Sequence, residues 1–500
     1  MGHPPLLAPH PLLHALSGLT PSKRDRLADA FAARAFDLGL AYLGVDGSRP
    51  IPVAFPPVIE PRAATIGRAS RVRAVTAALA AVAERILGGA LGSARAESLL
   101  SELAPVEREI VMSRHGVTPR LATVRADLFL DGQGRDRLLE LNATIPAMQG
   151  YSDIAAQAFA ESVAELAGAS IDSRAFLAAN GSNALDLLRS LLACYRAEGG
   201  ADEKPSIALV HRPSDSQLSE LRYMAARFRE EGHDARTIEV GEIALGADGR
   251  AVVSGPADSA PFRPAILYRH VFATRVDPSS AFGSILRRPD GHFLFNPVDP
   301  HLEQKSMLAE LSAASRDPDA ARVLGLAPDA AALVNEMVPW TRRLQAGAST
   351  DADGRPLREL VDHVRSSPAS MVIKRSWDFG GKGVFLGAEY GDEGSRFRSR
   401  ARFGRELDWA ALVDACVDEG GWVVQERVTL AARPLWLRTG DGVVSKDAYV
   451  DLSAYTNLGV EPAPTGGVCR ASLSPIVNIQ SGGGVVPFLS AEAADLLAIG

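Results

Sequence analysis

The chain has 500 residues, too many for one ordinary hydrophobic core, so roughly two to four domains or subdomains are expected. Hydrophobic residues make up 46% of the sequence and charged residues 23%, which is typical of folded globular proteins and excludes disordered or collagen-like chains. Lys and Arg number 53 against 60 for Asp and Glu, and the resulting net charge of −7 disfavours a nucleic-acid-binding protein.

The cysteines and the apolar stretches indicate a cytoplasmic protein. Cys194, Cys416 and Cys469 are scattered without CxxC spacing, so they predict neither a zinc site nor a disulfide framework. The apolar stretch near the amino terminus is interrupted by Pro and His and lacks a preceding basic segment, unlike a secretory signal. The apolar run 74–83 is too short to cross a membrane.

The first hundred residues are predicted to be mainly helical, and a β-hairpin follows them. Thr20 and Pro21 are typical of a helix cap and first turn, and the apolar spacing that follows predicts a helix to about Tyr42. A Pro-rich segment at 51–62 interrupts this pattern before a second helix that runs towards Leu87. Two apolar stretches then flank the turn-rich DGQGRD and predict a β-hairpin, with strands at 121–131 and 137–143.

The rest of the chain has an α/β pattern that suggests two further units. A Gly-Gly linker near residue 200 precedes a β-α-β unit whose helix spans 218–231, and another strand follows at 265–271. Helices are expected at 302–314, 328–337, 355–366 and 407–419, and strands at 371–374, 383–387 and 422–426. We therefore predict an α/β (α+β) protein with boundaries at 1–200, 201–300 and 301–500.

The densest motif is MVIKRSWDFGGKGVFLG at 371–387. A buried-looking strand ends in Lys374, and a loop with Gly380, Gly381 and Gly383 leads into a second strand. Glycines let backbone N–H groups approach phosphate oxygens, and a lysine at the strand end supplies a positive charge, so this hairpin can fold over a triphosphate. Taken alone, the segment is equally typical of an ordinary glycine-rich hairpin.

A second candidate element is the strand GWVVQERV at 421–428, which ends in Gln425 and Glu426. Polar residues at such a strand end can hold the edge of an adenine ring. More often, a strand of this kind is simply a core strand that reaches the surface. Its short distance from the glycine loop favours the first interpretation.

The predicted hairpin carries oxygen ligands on one face. Glu140 and Asn142 are two residues apart on a strand, so their side chains point the same way. Mg²⁺ prefers carboxylate and phosphate oxygens, and Asp378 in the glycine loop is a natural third ligand. Arg125 precedes them on the partner strand and can clamp a carboxylate bidentately. A lone ExN is more often part of a surface hairpin with alternating polar residues.

Together these motifs resemble the circularly permuted ATP-grasp ligases, which are related to eukaryotic glutathione synthetase and glutathionylspermidine synthase. In ordinary ATP-grasp proteins the metal-binding ExN follows the glycine loop, whereas here LELN at 139–142 precedes it, as in the permuted branch. The resemblance implies an ATP-grasp fold at 301–500, completed by the metal-binding part of 1–200. It also implies a small α/β pre-ATP-grasp substrate domain at 201–300.

The resemblance further implies the roles of individual residues. Mg²⁺ would be bound by Glu140, Asn142 and Asp378. The phosphates of ATP would be contacted by Lys374, Lys305 and the closing loop with Gly380, Gly381 and Gly383, and adenine would be lined by Gln425, Glu426 and Val428. The carboxyl-terminal segment PTGGVCRASLSPIVNIQSGGG is similar to the family's tail, which implies that Arg470 and Asn478 lie near the transferred phosphoryl group.

The implied activity is ATP-dependent ligation of a small-molecule carboxylate to an amine through an acyl phosphate. Arg125 would position the carboxylate and Arg470 would stabilise developing negative charge. The alternatives are a degenerate ATP-grasp scaffold that binds nucleotide without ligation, and a small-molecule kinase. The substrates could be amino acids, peptides or polyamines, and a homodimer is one option for the assembly.

Three residues of the segment 201–300 lie where a substrate domain would face a cleft. Arg269 and His270 end the predicted strand at 265–271, and Ser214 follows an earlier strand. Exposed strand-end residues are more often solvated or structural.

Overall fold

The computed structural model describes residues 10–497, apart from 45, 118, 256–259, 379, 382, 440–441, 462–465 and 478–483. The elements up to residue 197 are α1 (Pro11–Ser17), α2 (Pro21–Asp37), β1 (Ala41–Gly44), β2 (Gly47–Pro50), β3 (Ala54–Phe55), β4 (Val58–Glu60), α3 (Arg62–Leu87), α4 (Ser93–Leu100), α5 (Pro105–Ser113), β5 (Leu121–Leu130), β6 (Asp136–Asn142), α6 (Gln149–Leu166), α7 (Ser173–Asn180) and α8 (Asn183–Ala197). Those between 207 and 295 are β7 (Ile207–His211), α9 (Leu218–Glu230), β8 (Ala235–Glu239), β9 (Ile243–Leu245), β10 (Ala251–Val253), β11 (Ile266–His270), α10 (Ala281–Arg287) and β12 (Phe293–Phe295).

The carboxyl-terminal part mixes helices with antiparallel strands. Its elements are α11 (Lys305–Ala314), α12 (Pro318–Leu324), α13 (Pro328–Met337), β13 (Thr341–Arg343), β14 (Ser349–Thr350), β15 (Pro356–Leu357), α14 (Leu360–Ser366), β16 (Met371–Arg375), β17 (Val384–Leu386), α15 (Glu393–Phe403), α16 (Trp409–Glu419), β18 (Trp422–Glu426), β19 (Ala432–Thr439), β20 (Gly442–Val450), β21 (Ser453–Leu458), β22 (Gly467–Ser472), β23 (Gly484–Val486), β24 (Phe488–Ser490) and α17 (Ala491–Ala494). The mixed α/β class predicted from the sequence is confirmed. No helix of the described ranges has the length and apolar character needed to span a membrane.

Two predicted helices have different bounds in the structure. Thr20 caps α2 as expected, its Oγ1 accepting a hydrogen bond from the Lys23 N–H at 3.4 Å. The helix ends at Asp37 rather than near Tyr42, because Gly39 takes a positive φ of 102° and the chain turns into β1. The helix predicted at 355–366 begins only at Leu360, because Pro356–Leu357 pairs with β14.

The largest sheet joins strands that are far apart in sequence. Its order is β3-β19-β20-β22-β21-β5-β6, and β23 pairs with β22. The predicted hairpin forms β5 and β6, in whose antiparallel register Arg125 faces Asn142 and Asp127 faces Glu140. Because β5 also pairs with β21, the hairpin becomes one edge of a sheet built mostly from the last seventy residues or so of the chain.

The described residues also form two four-stranded sheets. The predicted β-α-β unit is confirmed as β7, α9 and β8, in a parallel sheet of order β12-β11-β7-β8. The second sheet has the order β13-β18-β16-β17, and its antiparallel pairing places Val372 opposite Gln425. In parallel sheets, functional side chains collect at the carboxyl ends of the strands, which here are the ends of β7 and β11.

A buried ion-pair network fastens helix α3 to the strands beside it. Arg68 donates to Glu60 Oε2 and to Asp136 Oδ1, each at 2.9 Å, and only 8% of its surface is exposed. Glu60 ends β4, whereas Asp136 begins β6. The network therefore ties the hairpin to the amino-terminal region.

We expect Arg68→Ala to destabilise the protein by about 3–5 kcal/mol, because it leaves the buried Glu60 carboxylate without its cation. The measurement is the free energy of unfolding from urea denaturation followed by tryptophan fluorescence. Arg322→Ala is the control, since Arg322 pairs with Asp319 at the surface with 77% of its side chain exposed. Equal effects of the two substitutions would contradict the prediction.

Candidate active site

A cavity of about 660 Å³ lies where the three sheets meet. The large sheet contributes residues of β5, β6, β20 and β22, and the antiparallel four-stranded sheet contributes β16, β17 and β18. The parallel sheet contributes residues at and after the ends of β7 and β11. Most of the sequence-predicted site residues line this one cavity: Arg125, Glu140, Asn142, Lys305, Lys374, Asp378, Gly380, Gly381, Gly383, Gln425, Glu426, Val428 and Arg470. Asn478 lies outside the described residues.

Lys374 is a buried cation on the cavity wall. Its Nζ donates to Gln425 Oε1 at 2.7 Å, and the two residues are diagonal neighbours across β16 and β18. Burial lowers the pKa of Lys374 to about 8; Lys305 acts in the same direction, whereas Glu140 and Asp127 oppose it. A buried ammonium group held by a neutral amide would interact strongly with an entering anion.

Lys305 connects the two predicted parts of the metal site. Its Nζ lies 3.2 Å from Glu140 Oε2 and donates to the backbone oxygen of Asp378 at 3.3 Å. Lys305 begins helix α11, Glu140 lies on β6, and Asp378 belongs to the glycine loop. Tertiary structure thus gathers residues from three separate segments around one ammonium group.

The side chains beside Lys305 fit a magnesium ion accompanied by phosphates. Glu140 offers a carboxylate, and the buried Nδ2 atom of Asn142 has no hydrogen-bond partner among the described residues. Its N–H groups can therefore donate to a phosphate oxygen, whereas a metal ion would be bound through the amide oxygen Oδ1. No group of three or more His, Cys, Asp and Glu side chains within the described ranges could hold a metal ion. A metal here would need ligands such as the Asn142 amide and phosphate oxygens, as Mg²⁺ commonly has.

Arg125 and Arg470 form a compensated charge network with two aspartates. Arg125 donates from Nε to Asp127 Oδ1 at 2.7 Å and from Nη1 to the Ala147 carbonyl at 2.9 Å. Arg470 donates from Nη2 to Asp127 Oδ2 at 2.9 Å and from Nε to Asp451 Oδ2 at 2.6 Å. Burial acts to raise the pKa of Asp127, but the two arginines outweigh it and hold this pKa well below its usual range. In this conformation, Arg125 directs its hydrogen bonds to the protein.

The glycine loop closes one side of the cavity. Gly381 has a φ of +72°, and a Cβ atom there would lie 2.9 Å from Ile476 Cγ2. At Gly383 a Cβ would lie 2.7 Å from the Cβ of Arg375. Both positions therefore favour glycine: Gly381 lets the loop lie close to Ile476, and Gly383 lets it lie close to Arg375.

The predicted adenine region combines apolar walls with a polar strand end. Val372, Leu386 and Leu141 line the cavity beside Gln425 and Glu426. The N–H of Glu426 donates to the Trp340 carbonyl at 2.7 Å, and Gln425 Nε2 donates to Thr341 Oγ1 at 3.0 Å. These bonds fix the end of β18 against β13.

The parallel sheet contributes residues to the cavity, and the sequence analysis named only some of them. Arg269 is structural: it is 1% exposed and donates to the backbone carbonyls of Asn296, Val271 and Pro297. Ser214 is exposed, and the cavity is lined instead by Asp215, which sequence reasoning missed, and by His270.

Tyr42, Met148 and Asp451 also line the cavity and were missed. Of the residues that were missed, Asp215 could have been found from the sequence, because it closely follows a strand of the predicted β-α-β unit. Nothing in the local sequence marks Tyr42 or Asp451.

Comparison with known proteins supports a ligase-like fold. No protein-family model matches the sequence, and no curated protein is significantly similar to it. The structure is similar to a glutathione synthetase-like effector from Globodera pallida in its apo form, with a TM-score of 0.55 and 13% identity over 94% of this chain and 98% of that chain. The chain therefore has a glutathione synthetase-like fold.

A candidate gamma-glutamylcysteine synthetase from Methylobacillus flagellatus KT also matches, with a TM-score of 0.38 and 13% identity over 83% of this chain and 88% of that chain. That score is too low to indicate a shared fold. At such identities, a likeness in fold does not by itself establish function, which has to be inferred from the site.

The buried charge of Lys374 should cost stability. Its pKa is lowered on folding, so the unfolded chain binds the proton more tightly, and the cost is fully present below about pH 8. We expect Lys374→Met to stabilise the ligand-free protein at pH 7 by about 2 kcal/mol, after the loss of its hydrogen bond. This gain in stability over the wild type should disappear as the pH rises from about 8 towards the ordinary lysine pKa.

The measurement is the unfolding midpoint of both proteins across this pH range, and Lys374→Arg, which keeps the charge, is the control. A variant that is less stable than the wild type at pH 7, by an amount independent of pH, would refute the prediction.

Proposed function

We propose that the protein is an ATP-dependent carboxylate–amine ligase with a circularly permuted ATP-grasp fold, which releases ADP and phosphate. The observation that carries this proposal is the meeting of Lys374, Lys305 and Glu140 in one buried cavity. Two ammonium groups beside a carboxylate, in the cavity that Asn142 also lines, suit a metal-bound triphosphate. These residues come from three segments, which makes a chance arrangement a weaker explanation.

The sheet order supports the permuted arrangement. The β5–β6 hairpin, which carries Glu140 and Asn142, precedes the glycine loop in sequence but pairs through β21 with the carboxyl-terminal strands. A permuted ATP-grasp domain requires such a pairing between early and late segments. The segment 201–300, with its parallel sheet, would be the substrate domain.

Each residue then has a role in binding or in phosphoryl transfer. Glu140, Asn142 and Asp378 would hold Mg²⁺, which when bound neutralises charge on the phosphate oxygens. Lys374 and Lys305 would contact those oxygens, and the loop with Gly380, Gly381 and Gly383 would cover them. Adenine would lie against Gln425, Glu426 and Val428.

In the first step, an oxygen of the substrate carboxylate attacks the γ-phosphorus of ATP, giving an acyl phosphate and ADP. Arg125 would position the carboxylate after exchanging part of its contact with Asp127. Arg470, together with Asn478, would stabilise charge on the transferred phosphoryl group. In the second step, an amine displaces phosphate and forms the amide.

The test is Mg-ATP-dependent release of ADP with pooled amino acids and polyamines. We expect release to need both an acid and an amine, and to fall at least about 100-fold in Lys374→Ala because a phosphate-binding charge is lost. Lys446→Ala is the control, since Lys446 is an exposed lysine on β20. ADP release that never needs an amine would favour a kinase, and nucleotide binding without turnover would favour a scaffold.

The metal assignment has a separate test. We expect Glu140→Gln to raise the Mg²⁺ concentration that gives half-maximal ADP release by about 10-fold or more, because the charged oxygen ligand is lost. Glu97→Gln, at a glutamate whose side chain is 57% exposed, should leave this concentration unchanged. An unchanged Mg²⁺ dependence in Glu140→Gln would contradict the assignment.

A further inference from the structure

A histidine and an aspartate from the parallel sheet line the cavity without being committed to each other. His270 ends β11 and is 2% exposed, whereas Asp215 lies in the loop after β7 and is 5% exposed. His270 Nδ1 is 3.8 Å from Asp215 Oδ2, beyond hydrogen-bond distance. Neither ring nitrogen of His270 has a hydrogen-bond partner in the described part of the chain. A buried imidazole in this state is costly unless a ligand completes its hydrogen bonds.

Asp215 differs from the other buried aspartates of the cavity. Asp127 and Asp451 are neutralised by direct hydrogen bonds from arginines. Among the described residues, Asp215 Oδ1 accepts only the backbone N–H of Gln217, at 2.9 Å, and Oδ2 lies 3.7 Å from Arg212 Nε. Burial acts to raise the pKa of Asp215, but His270, the Gln217 N–H and Arg212 together outweigh it, so this pKa lies below its usual value. Its Oδ2 can accept a hydrogen bond from a cation in the cavity.

The charged and titratable groups around His270 come from each element packed against it. Asp215 and Arg212 lie in the loop after β7, Glu220 lies on α9, and Tyr151 lies on α6 beside Glu220. Burial raises the pKa of Glu220 to about 7, and His270 acts in the opposite direction. A proton taken up by His270 would thus lie close to two carboxyl groups.

We propose that Asp215 and His270 form the subsite for the ammonium group of the amine substrate. Asp215 Oδ2 accepts a hydrogen bond from the ammonium group, and His270 removes one proton, so that the nitrogen has a free electron pair. This assignment rests on the proposed ligase function. It makes His270 the general base of the second step.

The proposed step balances in atoms and charge. The ammonium nitrogen gives one proton to His270 and attacks the carbonyl carbon of the acyl phosphate. The new C–N bond forms as the bond between that carbon and the phosphate oxygen breaks. The nitrogen gives its second surplus proton to the departing phosphate, which leaves as hydrogen phosphate, and His270 later returns its proton to solvent.

Hydroxylamine separates this role from a structural one. It is largely uncharged at neutral pH, so it attacks an acyl phosphate without prior removal of a proton. The experiment uses Mg-ATP and the pooled amino acids as acids, and measures hydroxamate formed with hydroxylamine beside amide formed with the amino acids and spermidine. The proteins are wild type, His270→Gln, Asp215→Asn and the control His115→Gln, an exposed histidine.

We expect His270→Gln to lower amide formation about 100-fold or more while hydroxamate formation stays within about threefold of wild type. Asp215→Asn should raise the KM for the amine more than about tenfold and leave hydroxamate formation unchanged. His115→Gln should behave as wild type.

Equal loss of amide and hydroxamate in His270→Gln, or no loss of either, would overturn the assignment while leaving the ligase function in place. A wild-type protein that forms neither product would overturn the proposed function itself, and the assignment with it.

Discussion

The pairing of β5 with β21 is the constraint on which the cavity depends. It attaches a hairpin from the first third of the chain to strands from its last part, so that Glu140 and Asn142 lie beside Lys305, while Asp127 meets Arg470. A register shift of one residue would turn the polar face of the hairpin away from the cavity. The buried network of Arg68, Glu60 and Asp136 holds the same hairpin from its other side.

Within this frame, the cavity contains two kinds of buried charge. Around Asp127 the charges are compensated: two arginines and two aspartates satisfy one another, which gives a rigid and well-defined wall. Lys374 and the pair of Asp215 and His270 are not compensated in this way. Groups that folding leaves partly unsatisfied are costly to keep, and in active sites the ligand commonly offsets that cost. In the proposed reaction, these uncompensated groups bind the phosphates and the amine.

The likeness to a glutathione synthetase-like effector concerns the fold. A shared fold positions the strands, and the chemistry depends on individual side chains. His270 illustrates the point, because its place at the end of β11 follows from the parallel sheet, while the absence of a partner for its ring nitrogens among the described residues follows from what surrounds it. In the proposed reaction, another residue at this position would leave the second step without its base.

Local sequence patterns were sufficient for most of the elements. The strands of the glycine-loop hairpin, the strand that ends in Gln425 and Glu426, and the hairpin with LELN follow from apolar alternation and turn residues, which act over a few positions. The order of motifs was also enough to predict a ligase-like fold. What the amino-acid sequence alone could not reveal is which distant segments meet. The contacts of Lys305 with Glu140, of Arg470 with Asp127 and of His270 with Asp215 depend on strand pairing across long stretches of chain. Only tertiary structure decides that pairing, because it is the packing of whole sheets, and not any local preference, that selects it.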